Sequence, residues 1–342
     1  MSTATPPPAP PTEWDGHVDS VAHLADRLTR LQPLDADGQP LTSAGVLNLV
    51  AVARSEDANE VEAGIEALRD HQPSRAIVVE RAAGGEGIDA HIEARAQVFG
   101  GAKRPSRVEL VRLTLHGRSM DGAASAVRSL LRPDLPVFVW WPGPPDMHDA
   151  MLPQIIKRAD RLITESSRCD DPVVAVDQLI ETAGAGPALT DLAWAQLTPW
   201  RQLVNQVVDV EHVEKLRQGG VAEIWFTGER PTVEAYLLAG WLRDTLGERL
   251  HVELMPRRGQ TDGGIAAMRL ESLAGRQLTL ERYPDRSTAA VVVSSPFERP
   301  RRRVMPLPFP DRTTLLAGEL EYQRRDLPFE RALPLAREVA NR

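Results

Sequence analysis

The sequence predicts an α/β fold in two domains, each a mixed, mostly parallel sheet flanked by helices, the second with an antiparallel meander. Three observations carry this expectation. Short β-branched runs alternate with helix-length stretches, the pattern of a parallel sheet covered on both faces. At 342 residues the chain is longer than one average core. Between about Glu165 and Ala188 it turns polar and then Gly-rich at Gly184-Ala-Gly-Pro187, as a domain boundary does. The expected layout is a flexible Pro-rich tail over residues 1–15, an N-terminal domain over 16–170 and a C-terminal domain over 171–342.

The elements follow in order. Met1 to Pro11 reads as a PPII-like tail. Val18, Val21, Leu24, Ala25, Leu28 and Leu31 form a helical stripe. Val46 to Val52 reads as a strand, Asn59 to Arg69 as a helix and Arg75 to Glu80 as a second strand, which together make a β-α-β unit. Ile92 to Phe99 and Val108 to Leu115 alternate as a hairpin. A helix over Asp121 to Leu131 leads to the strand Val137 to Trp141, stopped by Pro142-Gly143. A helix around Met151 to Arg158 and the strand Arg161 to Thr164 close the first half, and a helix over Pro172 to Thr182 bridges the boundary. The second half opens on a Trp-bearing segment that continues into a helix over Trp200 to Val208. A second β-α-β unit uses Ala222 to Thr227, Thr232 to Leu246 and His251 to Leu254. Gly264 to Leu273, Gln277 to Tyr283 and Ala289 to Ser294 read as a meander, followed by helices at Arg312 to Gln323 and Phe329 to Ala340.

Composition narrows the function. Hydrophobic residues make up 42% and charged residues 26%, ordinary for a globular protein. A net charge of −8 removes a general electrostatic drive toward nucleic acid or anionic lipid, so neither is an expected partner. No run approaches the length needed to cross a bilayer, and the N-terminus lacks the basic and apolar regions of a secretory signal. Cys169 is the one cysteine, so no intrachain disulfide or multi-thiolate metal site is expected. These features favour the cytoplasm. Cys169 sits in the polar run Ser166 to Pro172 and reads as an incidental loop thiol, with an interchain redox sensor as the alternative.

Catalytic constellations are not found. There is no Walker A loop, His-Glu-x-x-His, Gly-x-Ser-x-Gly or Cys-x-x-Cys, and no catalytic residue or cofactor is expected. Gly84-Gly-Glu-Gly87 and Asp262-Gly-Gly264 read as turns. The eight histidines are scattered without i, i+4 pairs, so no metal site is expected. Asp134, Asp146 and Asp149 flank the Trp strand as solvated loop acids, the alternative being general bases in a cleft.

Two features remain as binding candidates. Four of the seven tryptophans fall in two segments, Asp134 to Gly143 and Asp191 to Arg201. A single Trp is usually a core residue. Trp140 and Trp141 are adjacent on a strand, however, so both are buried only if both sheet faces are covered. Trp140, Trp141, Trp194, Trp200 and Arg201 are the candidates for forming or supporting a partner contact. Arg299, Arg301, Arg302 and Arg303 are the candidates for a phosphate or an acidic surface. The plainer reading of that run is a solvated strand edge.

Five strings carry a resemblance. His71-Gln-Pro-Ser-Arg-Ala-Ile-Val-Val79, Leu135-Pro-Val-Phe-Val-Trp-Trp-Pro-Gly143, Ala159-Asp-Arg-Leu-Ile-Thr-Glu-Ser166, Asp191-Leu-Ala-Trp-Ala-Gln-Leu-Thr-Pro-Trp-Arg201 and Ala235-Tyr-Leu-Leu-Ala-Gly-Trp-Leu242 occur in this order. In that order the chain resembles the OpcA family, the glucose-6-phosphate dehydrogenase assembly proteins of cyanobacteria and actinobacteria, from about Val46 to at least the final meander. The resemblance implies a two-domain, non-catalytic protein that binds glucose-6-phosphate dehydrogenase, promotes its active oligomer and raises its activity in the oxidative pentose phosphate pathway. NADP and glucose 6-phosphate would then belong to the dehydrogenase. Thiol control, linked to cyanobacterial members, has no intramolecular partner for Cys169 here. The competing expectation is a sensor or enzyme with a sugar phosphate in the interdomain cleft. A third is a scaffold that leaves the dehydrogenase's KM unchanged.

Overall fold

The computed structural model describes residues 12–18, 21–35, 37–42, 45–69, 72–82, 84–99, 105–257, 264–285 and 287–341. The expected Pro-rich tail lies, up to residue 11, outside the described residues, as do His71 and the Asp262-Gly263 part of the second glycine cluster. Two compact units divide the chain. The first is Met1–Pro142 with His148–Ile163, the second Gly143–Met147 with Thr164–Arg342.

In the first unit the chain forms β1 (Glu13–Val18), α1 (Ala22–Arg30), β2 (Leu47–Arg54), α2 (Ala58–Arg69), β3 (Ser74–Ala82), β4 (Gly87–Gln97) and β5 (Ser106–His116). It continues through α3 (Ala123–Leu130), β6 (Val137–Trp141), α4 (Leu152–Ile155) and β7 (Arg161–Thr164). The strands lie in the order β1-β4-β5-β3-β2-β6-β7. The pairs β5/β3, β3/β2 and β2/β6 are parallel, while β1/β4 and β4/β5 are antiparallel. The expected parallel core with antiparallel additions is present. Seven of the eight residues of β2 and all five of β6 are buried, as strands covered on both faces must be. Each aliphatic side chain so buried contributes about 1.5–3 kcal/mol.

The first described element departs from expectation. The ordered chain was expected to begin with a helix at Val18, yet Glu13–Val18 is a strand and the helix starts at Ala22. β1 pairs with β4 from Glu13↔Glu93 to Val18↔Ile88. Its residues are mostly exposed or half-buried, so it carries almost no apolar alternation, and pairing to an existing edge supplies what the sequence pattern does not.

In the second unit the helices are α5 (Pro172–Ala183), α6 (Leu192–Gln196), α7 (Thr198–Val207), α8 (Val210–Arg217), α9 (Val233–Leu246), α10 (Arg312–Glu319) and α11 (Leu327–Ala340). The strands are β8 (Ala188–Asp191), β9 (Gly220–Thr227), β10 (Leu250–Arg257), β11 (Ile265–Ser272), β12 (Gln277–Arg282), β13 (Thr288–Ser295) and β14 (Glu298–Pro306). Six strands form a sheet of order β10-β9-β11-β12-β13-β14. One β-α-β crossover through α9 makes β9/β10 parallel, and the four other pairs are antiparallel. The meander therefore dominates this sheet and extends by one strand, β14, over the arginine run.

Helix α9 is buried over most of its surface and packs against α11 and α5. Gly240 permits that approach. A Cβ placed there would lie 2.2 Å from the Ala332 carbonyl oxygen and 2.7 Å from the Ala336 nitrogen. Side chains cap the helix starts: Asp171 accepts from Val173 N, Asp209 from His212 N, Asp311 from Thr314 N and Asp326 from Phe329 N. Such caps contribute about 1 kcal/mol each. Asp209 begins α8, whose short, charged sequence gave no expectation of a helix.

Candidate functional site

The two Trp segments have different surroundings. In the first unit Trp140 is fully buried and Trp141 is 7% exposed. Val137 and Val139 border a small recess together with Val127 of α3 and Ile155 of α4. Trp140 points to the other face, where α2 sits on it through Gly64. A Cβ on Gly64 would lie 2.9 Å from the Trp140 ring. Both faces of β6 are covered, so both rings are core residues that offer little surface to a partner.

In the second unit Asp191 ends β8 and caps α6. It is fully buried, with four donors on its two oxygens. Oδ1 accepts from Ser166 Oγ (2.7 Å) and Ala193 N (2.9 Å). Oδ2 accepts from Thr164 Oγ1 (2.7 Å) and Ser166 N (2.8 Å). Burial pushes the carboxyl up to about 6, with the four hydrogen bonds opposing the rise. The Asp191 carboxylate thus fixes the start of the Trp segment to the 164–166 strand end.

From there α6 and α7 carry Trp194, Trp200 and Arg201, which the structure brings together. Trp194 is 1% exposed, and its ring lies 5.1 Å from Phe329 at 34°. Its Nε1 donates to Asp326 at 2.8 Å. The Arg201 guanidinium lies over the ring, 3.7 Å from its centroid, and donates to Thr198 Oγ1 at 2.8 Å. Burial lowers Arg201 to about 10, opposed by Asp326 and Glu319, so it stays charged at neutral pH.

Trp200 is equally buried but borders a cavity of about 570 Å³ within the second unit. The walls are the starts of α5, α6, α9 and α10, the start of β11 and the end of β12. Arg282 spans two of its aromatic walls, with centroid distances of 5.2 Å to Trp200 and 5.0 Å to Phe309. At the cavity's edge Glu165, buried, is clasped by Arg312: Nε lies 3.0 Å from both carboxylate oxygens and Nη2 2.8 Å from Oε1. Cys169, half-buried, also lines the wall. Sequence reasoning missed Arg282, Phe309, Glu165 and Arg312 as cavity residues. They lie far apart in sequence: the meander brings Arg282 to the Trp segment, the stretch entering α10 brings Phe309 and Arg312, and the end of β7 brings Glu165.

Arg299, Arg301, Arg302 and Arg303 lie elsewhere, on β14, the exposed edge strand of the second sheet. Arg302 donates to the Tyr283 hydroxyl at 2.9 Å. Asp149, expected as a solvated loop acid, is instead held by Arg81 at 2.7 Å and by the backbone N–H groups of Met151 and Leu152, which keep its carboxyl low despite burial.

The first unit holds a cluster that histidine spacing did not reveal. His17 Nδ1 and His116 Nε2 lie 2.8 Å and 2.9 Å from the two oxygens of Asp89. The Gly84 carbonyl and Asp89 raise His116, and the two rings lower Asp89. Among the described residues no group of three His, Cys, Asp or Glu is placed to hold a metal ion, and no helix is long and apolar enough to cross a membrane.

The chain is similar to known proteins in both halves. Residues 65–181 match the profile described as the glucose-6-phosphate dehydrogenase subunit N-terminal domain, and residues 187–333 match that of its C-terminal domain. Curated relatives named OxPP cycle protein OpcA are 26% identical, over 137 residues in Synechocystis sp. and 166 in Nostoc punctiforme. These matches cover 39% and 47% of this chain, and 29% and 36% of the relatives' own length. Among solved structures, a dehydrogenase from Chromobacterium violaceum gives a TM-score of 0.46 at 14% identity, covering 87% of this chain and 94% of that one. An oxidoreductase from Sinorhizobium meliloti gives 0.47 at 9%, covering 86% and 95%. With its two domain profiles matched in order over residues 65–181 and 187–333, the chain belongs to the OpcA family.

Proposed function

We propose that this chain is a non-catalytic assembly factor that binds glucose-6-phosphate dehydrogenase, promotes its active oligomer and activates it in the oxidative pentose phosphate pathway, in the cytoplasm. The observation that carries the reading is the pair of matched domains, each described as part of a glucose-6-phosphate dehydrogenase subunit. The cavity chemistry supports the non-catalytic part. Two of its lining acids are engaged, Glu165 by Arg312 and Asp311 by the Thr314 N–H, whereas a general base needs a lone pair within reach of a substrate proton. Activation needs no catalytic group. If the chain binds the active form of the dehydrogenase more tightly than the inactive form, mass action shifts the population. A tenfold shift takes about 1.4 kcal/mol of differential affinity.

The test is dehydrogenase activity across a substrate titration, with and without this chain, alongside size-exclusion chromatography of the mixture. Co-elution with lowered KM or raised kcat is expected. Co-elution with unchanged kinetics reduces the role to a scaffold, and separate elution with unchanged kinetics overturns the reading.

A second reading rests on Arg282 between Trp200 and Phe309 in a cavity of about 570 Å³, a shape and chemistry suited to a small phosphorylated ligand. Thermal stabilisation of the isolated chain by glucose 6-phosphate or 6-phosphogluconate, abolished in Arg282→Ala, is the result that favours it.

A further inference from the structure

We propose that the recess beneath the arginine-rich edge strand β14 is the docking site for an acidic, extended segment of a partner protein. The inference rests on the reading above in taking the dehydrogenase as that partner. β14 ends its sheet, and all its residues but Met305 are exposed. A nine-residue open edge invites pairing with another chain, and charges and proline on it ordinarily prevent this. Pro300 and the arginines serve that end, but protection alone does not explain the rest of the surface. Phe297, just before the strand, is 97% exposed, and Val304 within it is 61% exposed.

Beneath the strand lies a recess of about 230 Å³. Val291, Val293 and Met305 line it, with Arg276, Arg301 and Arg303 beside them. Register explains the arrangement. Arg301 pairs with Val293 and Arg303 with Val291, so alternation sends these two arginines to the recess side and Arg302 to the other face, where Tyr283 holds it. Arg276 is already neutralised by Asp209 at 2.7 Å. Arg301 has only Glu298, 3.8 Å away with both side chains exposed, and Arg303 makes no ion pair among the described residues. Two weakly compensated guanidinium groups thus flank an apolar hollow on a chain of net charge −8.

The complementary occupant places carboxylates two residues apart on an extended segment, roughly 6.6–6.8 Å, the spacing at which Arg301 and Arg303 repeat along β14. An apolar side chain two residues from one of these carboxylates, on the same face of the segment, fills the hollow. Charge-assisted hydrogen bonds to the two forks fix its register.

The test uses the full chain and a fluorescein-labelled peptide Glu-Thr-Glu-Thr-Val-Thr, whose glutamates and valine share one face when extended, followed by anisotropy. Saturable binding is expected. It should weaken about tenfold or more in Arg301→Glu/Arg303→Glu, fall as salt is raised, and persist in Arg301→Lys/Arg303→Lys. Unchanged circular dichroism checks that these exposed positions leave the fold intact. Absent saturable binding, or equal binding by the charge-reversed variant, overturns the proposal.

Chromatography with the dehydrogenase separates the two readings. Loss of co-elution in the charge-reversed variant places the dehydrogenase on β14. Retained co-elution removes it from β14, which overturns the docking proposal while the assembly reading stands. A wild type that never co-elutes overturns the assembly reading, and the peptide titration still decides the recess. Self-association of the chain alone, relieved by the charge reversal, assigns the strand to a second copy and also overturns the proposal.

Discussion

Arg201 holds its guanidinium carbon 3.7 Å from the centroid of the Trp194 ring while Trp194 donates its indole N–H to Asp326 at 2.8 Å. The Trp segment is thereby tied to the start of α11, since Asp326 also caps that helix through Phe329 N. Replacing Trp194 with Phe keeps an aromatic ring against Phe329 but deletes the bond to the carboxylate and leaves a void where the larger indole was buried under Arg201. A loss of at least about 1.5–3 kcal/mol is expected from urea unfolding, the part that a hydrogen bond to a charged, part-buried group contributes. An unchanged midpoint would show that Asp326 finds another partner at no cost.

Trp141 is the sharper case. At 7% exposure its ring is buried, so Trp141→Ala is expected to destabilise by about 3–5 kcal/mol. Loss of dehydrogenase activation in a variant that unfolds at the wild-type urea concentration would instead put the ring at the partner contact.

Gly64→Ala tests the other face of the same strand. Helix propensity favours Ala by about 1 kcal/mol. The new Cβ, however, meets the fully buried Trp140 ring at 2.9 Å. Overpacking against a ring that cannot move typically costs about 1–3 kcal/mol, so net destabilisation is expected in thermal melts. A raised Tm would show that α2 shifts freely.

These cases show what the sequence made legible. β2, β3 and β6 were readable because burial on both faces writes a continuous apolar run. The meander was readable from alternation. β1 and α8 were not, since one is a polar strand added to an edge and the other a short charged helix fixed by the Asp209 cap and its neighbours. Within the site, Trp194, Trp200 and Arg201 share one local segment and could be grouped from spacing. Arg282, Phe309 and Arg312 join them only through long-range strand pairing and the turn before α10, which single-sequence periodicity does not encode.

The Asp89 cluster predicts a pH-dependent edge. His116 is raised by the Gly84 carbonyl and Asp89, so its contribution is present below the ordinary histidine value and is lost as pH rises through the raised one. Asp89 is lowered mainly by its bonds to His17 and His116, so its contribution is present above the ordinary carboxylate value and is lost on acidification through the lowered one. β1 should therefore be held best between those limits. Asp89→Asn should lower the His116 titration midpoint in NMR and speed β1 amide exchange at mildly acidic pH. A midpoint that does not move would remove the cluster as the cause.

Asp191 gives the opposite sign from an ordinary ion-paired carboxylate. Its folded value is raised to about 6 by burial, so the stability linked to it is fully present below the ordinary carboxylate value and is lost as pH rises through about 6. A rise of about two units corresponds to roughly 3 kcal/mol across that window. Asp191→Asn removes the titration and also turns an amide NH₂ toward a site where the wild type accepts from Thr164 Oγ1 and Ser166 N. The variant is therefore expected to be less stable than wild type by about 1–3 kcal/mol at neutral pH. Because only the wild type gains from protonating this carboxyl, the gap should widen as pH falls from neutral toward about 5. Urea unfolding of both proteins across that range checks the sign. A gap that stays constant or narrows on acidification would mean that the four hydrogen bonds outweigh burial and hold Asp191 ionised throughout.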